Sequence, residues 1–390
     1  MANERFCQAD RHARKLDRPR GQQNPYNSDL DCIGKPSRDL SSRFISHSMR
    51  FLFIASGRRM PSTRFRIDQF LGSLRKAGHR CDVFYSYPEK YDSFQILGWR
   101  LSQRLKRSVR HWHAFLAARR HYDAILIERE VFDDDTSDLE EKFRAATDRL
   151  ILDVDDGVFL RHREKFHAIA KLCDAAIAGN QCLAEYMQPL CDEVVLIPTC
   201  ISMADYPTRP DQSVGEKPTI GWMGTTHNVP FLEVAAASLR QIAQQIPYRL
   251  LIVATTDERL AELDLSGVDV EFRAWNPDRE IADLHEMDIG LMPLPPDQEW
   301  MKYKCGLKLL QYLAVGIPGI ASPIGVNAEI ISGNRVGRIA SDDAQWYEAL
   351  KELLTEPETR QQLGQSGRQL VAEQYSIEAN WRKLQRVLMG

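Results

Sequence analysis

From Met49 onward, apolar runs of strand length alternate with stretches of helical period, and after one full set the alternation stops and begins again. Short strands separated by helices can bury both faces only as a parallel sheet covered by crossover helices, so the expected fold class is α/β. The first unit is explicit. RFLFIAS, from Arg50, passes through the loop GRRMPSTRFR into a helix that lines up Ile67, Phe70, Leu71 and Leu74, and Gly78 stops that helix before CDVFYSY. Further strands are predicted at YDAILIE, RLILDVD, AAIAG and VVLIP, with helices over 166–173 and 181–190.

The segment 206–218, YPTRPDQSVGEKP, has three prolines and no period, which is linker composition. The pattern then restarts with TIGWMG, a helix over 231–245, YRLLIVAT, VDVEFRAW, IGLMPLP, a helix from about 306 to 315, PGIASPIG and VGRIA. Three helical stretches finish the chain. The last, 376–389, has Ser376 as its N-cap and Ile377, Trp381, Leu384 and Leu388 as its apolar stripe. The expected organisation is therefore two doubly wound domains, 49–205 and 219–375, joined by 206–218 and followed by a helix over 376–390. Residues 1–48 are polar and without period. They read as a disordered tail, or as upstream sequence before a misassigned start, since Met49 directly precedes the first strand. Open parallel sheets bind ligands beyond the carboxyl ends of their strands, so two facing sheets predict a cleft for two substrates.

Composition removes several classes. A formal net charge of −3 gives no whole-protein case for nucleic acid. No run approaches the roughly 18 apolar residues of a membrane span, because YLAVGIPGIASPIGV is broken by Gly and Pro. Eight cysteines without a CxxC pair or an apolar signal segment suggest reduced thiols in cytoplasm.

The most informative stretch is KYKCGLKLLQYLAVGIPGIASPIGVNAEII, Lys302–Ile331. Gly306 opens a helix with Lys304 before it and Lys308 just inside it. Free backbone N–H groups beside two ammonium groups suit a diphosphate; read alone, both lysines are equally at home on a solvated crossover helix. In GWMGTTHN, Gly224 lets a ligand approach the backbone, and the Thr225 and Thr226 hydroxyls can bond phosphate or sugar oxygens. Neither a dinucleotide-binding glycine fingerprint nor a P-loop is present.

These residues, together with AAIAGNQCLAEYMQPLCDEVVLIPTCI, resemble a bacterial branch of the family-four retaining glycosyltransferases with the GT-B fold, and KCGLKLLQYLAVGIPGIASPIGVN is the most specific part of the match. The resemblance implies two Rossmann-like domains facing a cleft, a nucleotide diphosphate sugar held by the C-terminal one, a hydroxyl acceptor on a glycan or lipid carrier held by the N-terminal one, and a final helix that crosses back. It implies no metal and no cofactor. It also implies a front-face reaction in which the departing phosphate helps deprotonate the acceptor. Lys304 and Lys308 would stabilise the leaving diphosphate, and Gly224, Thr225, Thr226, Trp275, Asn276, Cys305, Gly306, Leu307 and Gln311 would bind the donor. Many members carry two glutamates eight positions apart; here Tyr303 and Gln311 stand in their places. That departure keeps open a second reading, a catalytically silent nucleotide-sugar-binding subunit.

On the first domain, Gly57, Ser62, Arg64 and Arg66 stand where the resemblance places acceptor or donor-phosphate contacts, although two arginines on a solvated turn would look the same. Trp275 either stacks on the donor base or covers a sheet edge. LDVDDG puts Asp153, Asp155 and Asp156 at a strand's carboxyl end, where three carboxylates must be solvated, paired or protonated. Asp155 and Asp156 are expected to bond acceptor hydroxyls; a capping role for the next loop is the alternative. Finally, RLSQRLKRSVRHWHAFLAARR, from Arg100, has seven Arg or Lys, no acid, and Leu101, Leu105, Val109, Trp112 and Leu116 at helical spacing. It is either a contact with anionic lipid at the inner face of the cell membrane or a crossover helix whose apolar side packs on the sheet.

Overall fold

The structure, a computed structural model, describes residues 48–94, 96–209 and 217–390. The expectations for 1–47, and for 210–216 of the linker, lie outside the described residues.

All twelve predicted strands form, in two six-stranded parallel sheets. The first comprises β1 (Arg50–Ala55), β2 (Arg80–Tyr85), β3 (Tyr122–Glu128), β4 (Thr147–Val154), β5 (Ala175–Ala178) and β6 (Val194–Leu196), in the order β2-β1-β3-β4-β5-β6. The second comprises β7 (Thr219–Met223), β8 (Arg249–Ala254), β9 (Asp269–Ala274), β10 (Ile289–Met292), β11 (Gly319–Ala321) and β12 (Gly337–Ile339), in the order β12-β11-β10-β7-β8-β9. Each order reverses once, between β1 and β3 and between β7 and β10. Ligands of doubly wound folds bind in the crevice beyond such a reversal. The chain leaves β1 through Ser56 and Gly57, and β7 through Gly224, so the sequence-derived loops sit at both reversals.

The N-terminal helices are α1 (Pro61–Thr63), which runs through a π-helical turn (Arg64–Asp68) into α2 (Gln69–Lys76), then α3 (Gly98–Arg120), α4 (Asp138–Arg144), α5 (Arg163–Leu172) and α6 (Gln181–Met187). On the second sheet lie α7 (Glu233–Ala243), α8 (Glu280–His285), α9 (Leu307–Ala314), α10 (Val326–Ile331), α11 (Asp343–Thr355) and α12 (Pro357–Gln374). Alternation along each strand feeds two core layers. In β1, Phe51 and Phe53 join α2 on one side while Leu52 and Ile54 join α4 and α5 on the other. Trp222 of β7 packs with α7 and α11, and Met223 with α9 and α12.

The last helix, α13 (Ile377–Met389), packs on the first sheet: Ile377, Leu384, Val387 and Leu388 share a cluster with Phe51, Phe70 and Leu126. Ser376 Oγ accepts from Ala379 N at 3.1 Å, the cap that starts it. The two chain crossings between sheets run side by side, joined by Ile201 N–H to Tyr375 O at 2.8 Å and Ile377 N–H to Ile201 O at 3.1 Å.

α3 departs from a crossover helix with its apolar side inward. Ser102, Lys106, Arg110, Ala114 and Ala117 face the protein, while Leu101, Leu105, Trp112 and Phe115 face out. The reason is hydrogen bonding at the carboxyl ends of two strands. Arg110 donates to Ala55 O at 2.6 Å and Phe84 O at 3.0 Å, and Lys106 Nζ donates to Lys90 O and Asp92 O, both at 2.7 Å. Among the described residues no helix is long and apolar enough to cross a membrane.

Candidate functional site

On the C-terminal lip, α9 starts at Gly306, whose φ of +65° is left-handed; a side chain there would also meet Val326 Cγ1 at 2.9 Å. The first helical hydrogen bond is Leu310 N–H to Gly306 O, 3.1 Å, so the N–H groups of the turn before it have no helical acceptor. Lys308 stands on this turn, half-buried, with Nζ 5.5 Å from the centroid of the Trp222 ring and no ion pair among the described residues. Burial, and then the neighbouring charge of Lys304, pull its ammonium down to about 7. Gly224 makes room for it: a Cβ at 224 would lie 2.6 Å from Lys308 Cε and from the Trp222 ring. Beneath the same turn, both amide atoms of the buried Asn327 lack a partner among the described residues.

The loop before α9 is held by the N-terminal domain. Asn180 caps α6 through its Oδ1, 2.9 Å from Leu183 N, and donates its Nδ2 to Tyr303 O at 2.9 Å and Lys304 O at 3.3 Å. The Tyr303 ring enters the N-terminal core, edge-on to Phe159 with centroids 4.8 Å apart. Gly157 permits this, since a Cβ there would be 3.0 Å from the ring. Cys305, expected to touch the donor, instead packs its side chain into the N-terminal cluster against Gly179, and burial pushes its thiol far up. Leu307 packs on the C-terminal core.

On the opposite lip the charges are paired within the domain. Arg66, expected to face phosphate, is buried, with Nε 3.0 Å from Asp153 Oδ2 and NH1 2.7 Å from Ile197 O. Burial opposes its charge, but Asp153 outweighs burial and raises it. Arg129, left-handed at φ 62°, turns its NH2 to Asp155 Oδ2 at 2.9 Å. Burial would raise Asp155; Arg129 overcomes that and holds it below its usual range. Pairing is thus how the acidic run is tolerated. Asp156 is the least tightly held of the three: Oδ1 accepts from Gly157 N at 3.0 Å, and Oδ2 lies 3.7 Å from Lys304 Nζ across the cleft and 3.9 Å from Arg129 NH2. Glu128, at the end of β3, accepts from Ser56 N at 2.9 Å and Thr63 Oγ1 at 2.5 Å through one oxygen, while its other oxygen and the buried Ser62 hydroxyl have no partner among the described residues. A side chain at Gly57 would strike Glu89 at 2.7 Å.

Arg64 is also paired, but across the cleft. Its guanidinium makes two bonds to Glu280 of α8, at 3.0 and 2.9 Å, and lies 5.5 Å from the Trp275 ring centroid. Glu280 further accepts from Trp275 Nε1 at 3.0 Å and Tyr206 OH at 2.7 Å, and Gln311 Nε2 donates to Tyr206 OH at 2.9 Å. Burial would raise the Glu280 pKa; Arg64 more than offsets it. Two positions expected to bind the donor, Trp275 and Gln311, are therefore joined in one internal network. Asn276 closes an Asx turn, its Oδ1 accepting from Asp278 N at 2.9 Å, and the Thr226 hydroxyl accepts from Thr256 N at 2.9 Å, whereas Thr225 stays exposed.

Reading the sequence missed Asn180, Tyr206, Glu280, Arg129 and Asn327. Asn180 was findable as a helix N-cap before QCLAEYM. Glu280 carries no local signal, because its partner Arg64 is 216 positions away.

Two facing Rossmann-like domains with a returning helix define the GT-B fold. Sucrose-phosphate synthase from Thermosynechococcus elongatus has the same architecture, with a TM-score of 0.67 at 15% identity over 87% of this chain and 98% of that one. A glycosyltransferase from Rickettsia africae gives 0.61 at 13% over 87% and 98%, and Anabaena HepE in complex with UDP-glucose gives 0.60 at 14% over 87% and 99%. Residues 217–356, which contain the whole second sheet, match the family model described as Glycosyl transferases group 1. No curated protein sequence is significantly similar to this chain.

Proposed function

We propose that the chain is a retaining glycosyltransferase that moves a hexose-type unit from a nucleotide diphosphate sugar to a hydroxyl acceptor, without a metal. The observation that carries this is Lys308, an ammonium that makes no ion pair among the described residues, beside Lys304 at the free N–H groups of α9. A site that gathers cationic groups and leaves one unpaired fits a ligand bringing its own negative charge. The similarity of 217–356 to the Glycosyl transferases group 1 model, and the complex of Anabaena HepE with UDP-glucose, support a nucleotide sugar as that ligand.

In the proposed reaction the bond between the anomeric carbon and the β-phosphate oxygen breaks, and the acceptor oxygen bonds the same face of that carbon. The acceptor proton passes to the departing phosphate. Lys304, Lys308 and the turn at Gly306 stabilise charge as it develops on the diphosphate, the electrostatic contribution usually largest in such transfers. With Asp155 paired to Arg129, Asp156 is the carboxylate left to bond the acceptor hydroxyl. Lys304, 3.7 Å from Asp156, then links the two halves of the site.

The test is to follow melting and turnover with UDP-, GDP- and dTDP-sugars, and to read the anomeric configuration of any product by NMR. Stabilisation by one nucleotide, with transfer at retained configuration that a chelator leaves unchanged, is expected. Stabilisation without turnover would favour the binding-subunit reading, for which Tyr303 in the core and Gln311 bonded to Tyr206 argue. Absence of stabilisation by any of them overturns both.

A further inference from the structure

We infer that α3 is a membrane-docking element, seating the N-terminal domain on an anionic lipid surface. The helix is inverted relative to an ordinary crossover helix: its charged groups Lys106 and Arg110 are buried against strand ends, and its large apolar groups lie in solvent. Trp112 is 57% exposed and Phe115 42%, their rings stacked with centroids 5.2 Å apart, and Trp99, at the start of the helix, is 60% exposed. Leu101 and Leu105 continue the stripe toward the N-terminus, where Ile96 and Leu97 are exposed as well. The helix cannot roll to bury this stripe without losing the bonds from Arg110 to Ala55 O and Phe84 O and those of Lys106.

Charge says what covers it. Arg100, Arg104 and Arg119 are exposed and make no ion pair among the described residues, and no acid lies between Gly98 and Arg120. Arg119 lies over the Phe115 ring at 4.3 Å, so a cation borders the apolar face. Tryptophan and phenylalanine flanked by unpaired arginines match the boundary between acyl chains and anionic headgroups. A partner protein would need a surface both apolar and acidic; an anionic bilayer supplies the two together. Because Arg110 is bonded to Ala55, next to Ser56 and Gly57, docking through α3 brings the N-terminal lip of the cleft close to the headgroups.

The experiment needs no donor or acceptor, so it stands or fails separately from the transferase reading. The full chain is sedimented with vesicles of phosphatidylcholine alone and of phosphatidylcholine with phosphatidylglycerol. Binding to the second kind only, weakened by salt and accompanied by a blue shift of tryptophan emission, is expected. The exposed-residue variant W99S/W112S/F115S should bind at least about tenfold more weakly with its melting temperature unchanged. R100E/R104E should lose at least about fivefold per arginine. Equal binding to neutral vesicles, no binding, or undiminished binding by both variants would overturn the inference. So would a concentration-dependent dimer that W99S/W112S/F115S abolishes, which would make the stripe a face between two copies of this chain.

Discussion

The two lips of the cleft handle charge in opposite ways. On the N-terminal lip, Arg66 holds Asp153 and Arg129 holds Asp155, so most of the charge is neutralised before any ligand arrives. On the C-terminal lip, Lys308 is partly withdrawn from water and makes no ion pair among the described residues. A paired charge fixes the fold, and an unpaired one favours a ligand of opposite sign. Equivalent substitutions on the two lips should therefore fail differently, one in folding and the other in binding.

The largest effect is expected on the N-terminal lip. Arg66→Ala would leave Asp153 buried without its cation, a loss that typically costs about 3–5 kcal/mol. Denaturant unfolding should show a fall of that size, while any soluble Arg66→Ala protein keeps its affinity for the nucleotide diphosphate within about threefold, since Arg66 is bonded away from the cleft. A large loss of affinity at unchanged stability would place Arg66 on the ligand and break the contrast.

Lys308→Ala reverses the pattern. Removing a cation that stabilises a leaving diphosphate should lower transfer by about 10²–10³-fold. Stability should hold or rise, because no ion pair among the described residues is broken and an ammonium leaves a confined site. Lys304→Ala should cost less, as that side chain is already shared with Asp156. Near-normal transfer by both variants would remove the proposed role of the helix.

How much of this was legible beforehand follows the same division. Strands buried on both faces announce themselves as apolar runs, and Ser376 as a cap is a local signal, so the twelve strands and the last helix could be read directly. The lysines were legible because they belong to a helix opening that is contiguous in sequence. Arg64 with Glu280, Arg66 with Asp153 and Tyr303 with Phe159 were not, because each pair is made by tertiary approach between distant segments. A guanidinium in a turn looks identical whether it faces solvent, a ligand or a buried acid. α3 shows the same limit: its period was plain, yet which face turned inward depended on the Ala55 and Phe84 carbonyls, which periodicity does not report.

pH sharpens the comparison with a sign test. In the folded protein the Lys308 ammonium is lowered to about 7, against an ordinary 10.5, so between these values the unfolded chain holds a proton that the folded chain lacks. This group's contribution to stability accordingly rises with pH across that window. Diphosphate binding has the opposite dependence, because the ligand needs the charged form. Affinity should fall by up to about tenfold per pH unit above about 7, until the raised value in the complex is reached. Titration calorimetry should detect proton uptake on binding near pH 8, and Lys308→Met should abolish the dependence. A pH-independent affinity in the wild-type chain would mean that Lys308 does not meet the ligand.

The smallest expected effect addresses the network that spans the cleft. Tyr206 OH donates to Glu280 and accepts from Gln311, so Tyr206→Phe deletes two hydrogen bonds but leaves Glu280 with Arg64 and Trp275. A net loss of about 1–2 kcal/mol in stability should follow. The more useful reading is affinity. If the Gln311 amide keeps its place when the nucleotide binds, losing the phenol changes donor Kd by less than about threefold, the expected result. Tightening by more than about tenfold would show that Tyr206 competes with the ribose for Gln311, so that the network must open for the donor to enter. The Arg64–Glu280 pair would then belong to a gate between the lips rather than to a fixed wall, and the division between a paired N-terminal lip and an unpaired C-terminal one would end when the donor binds.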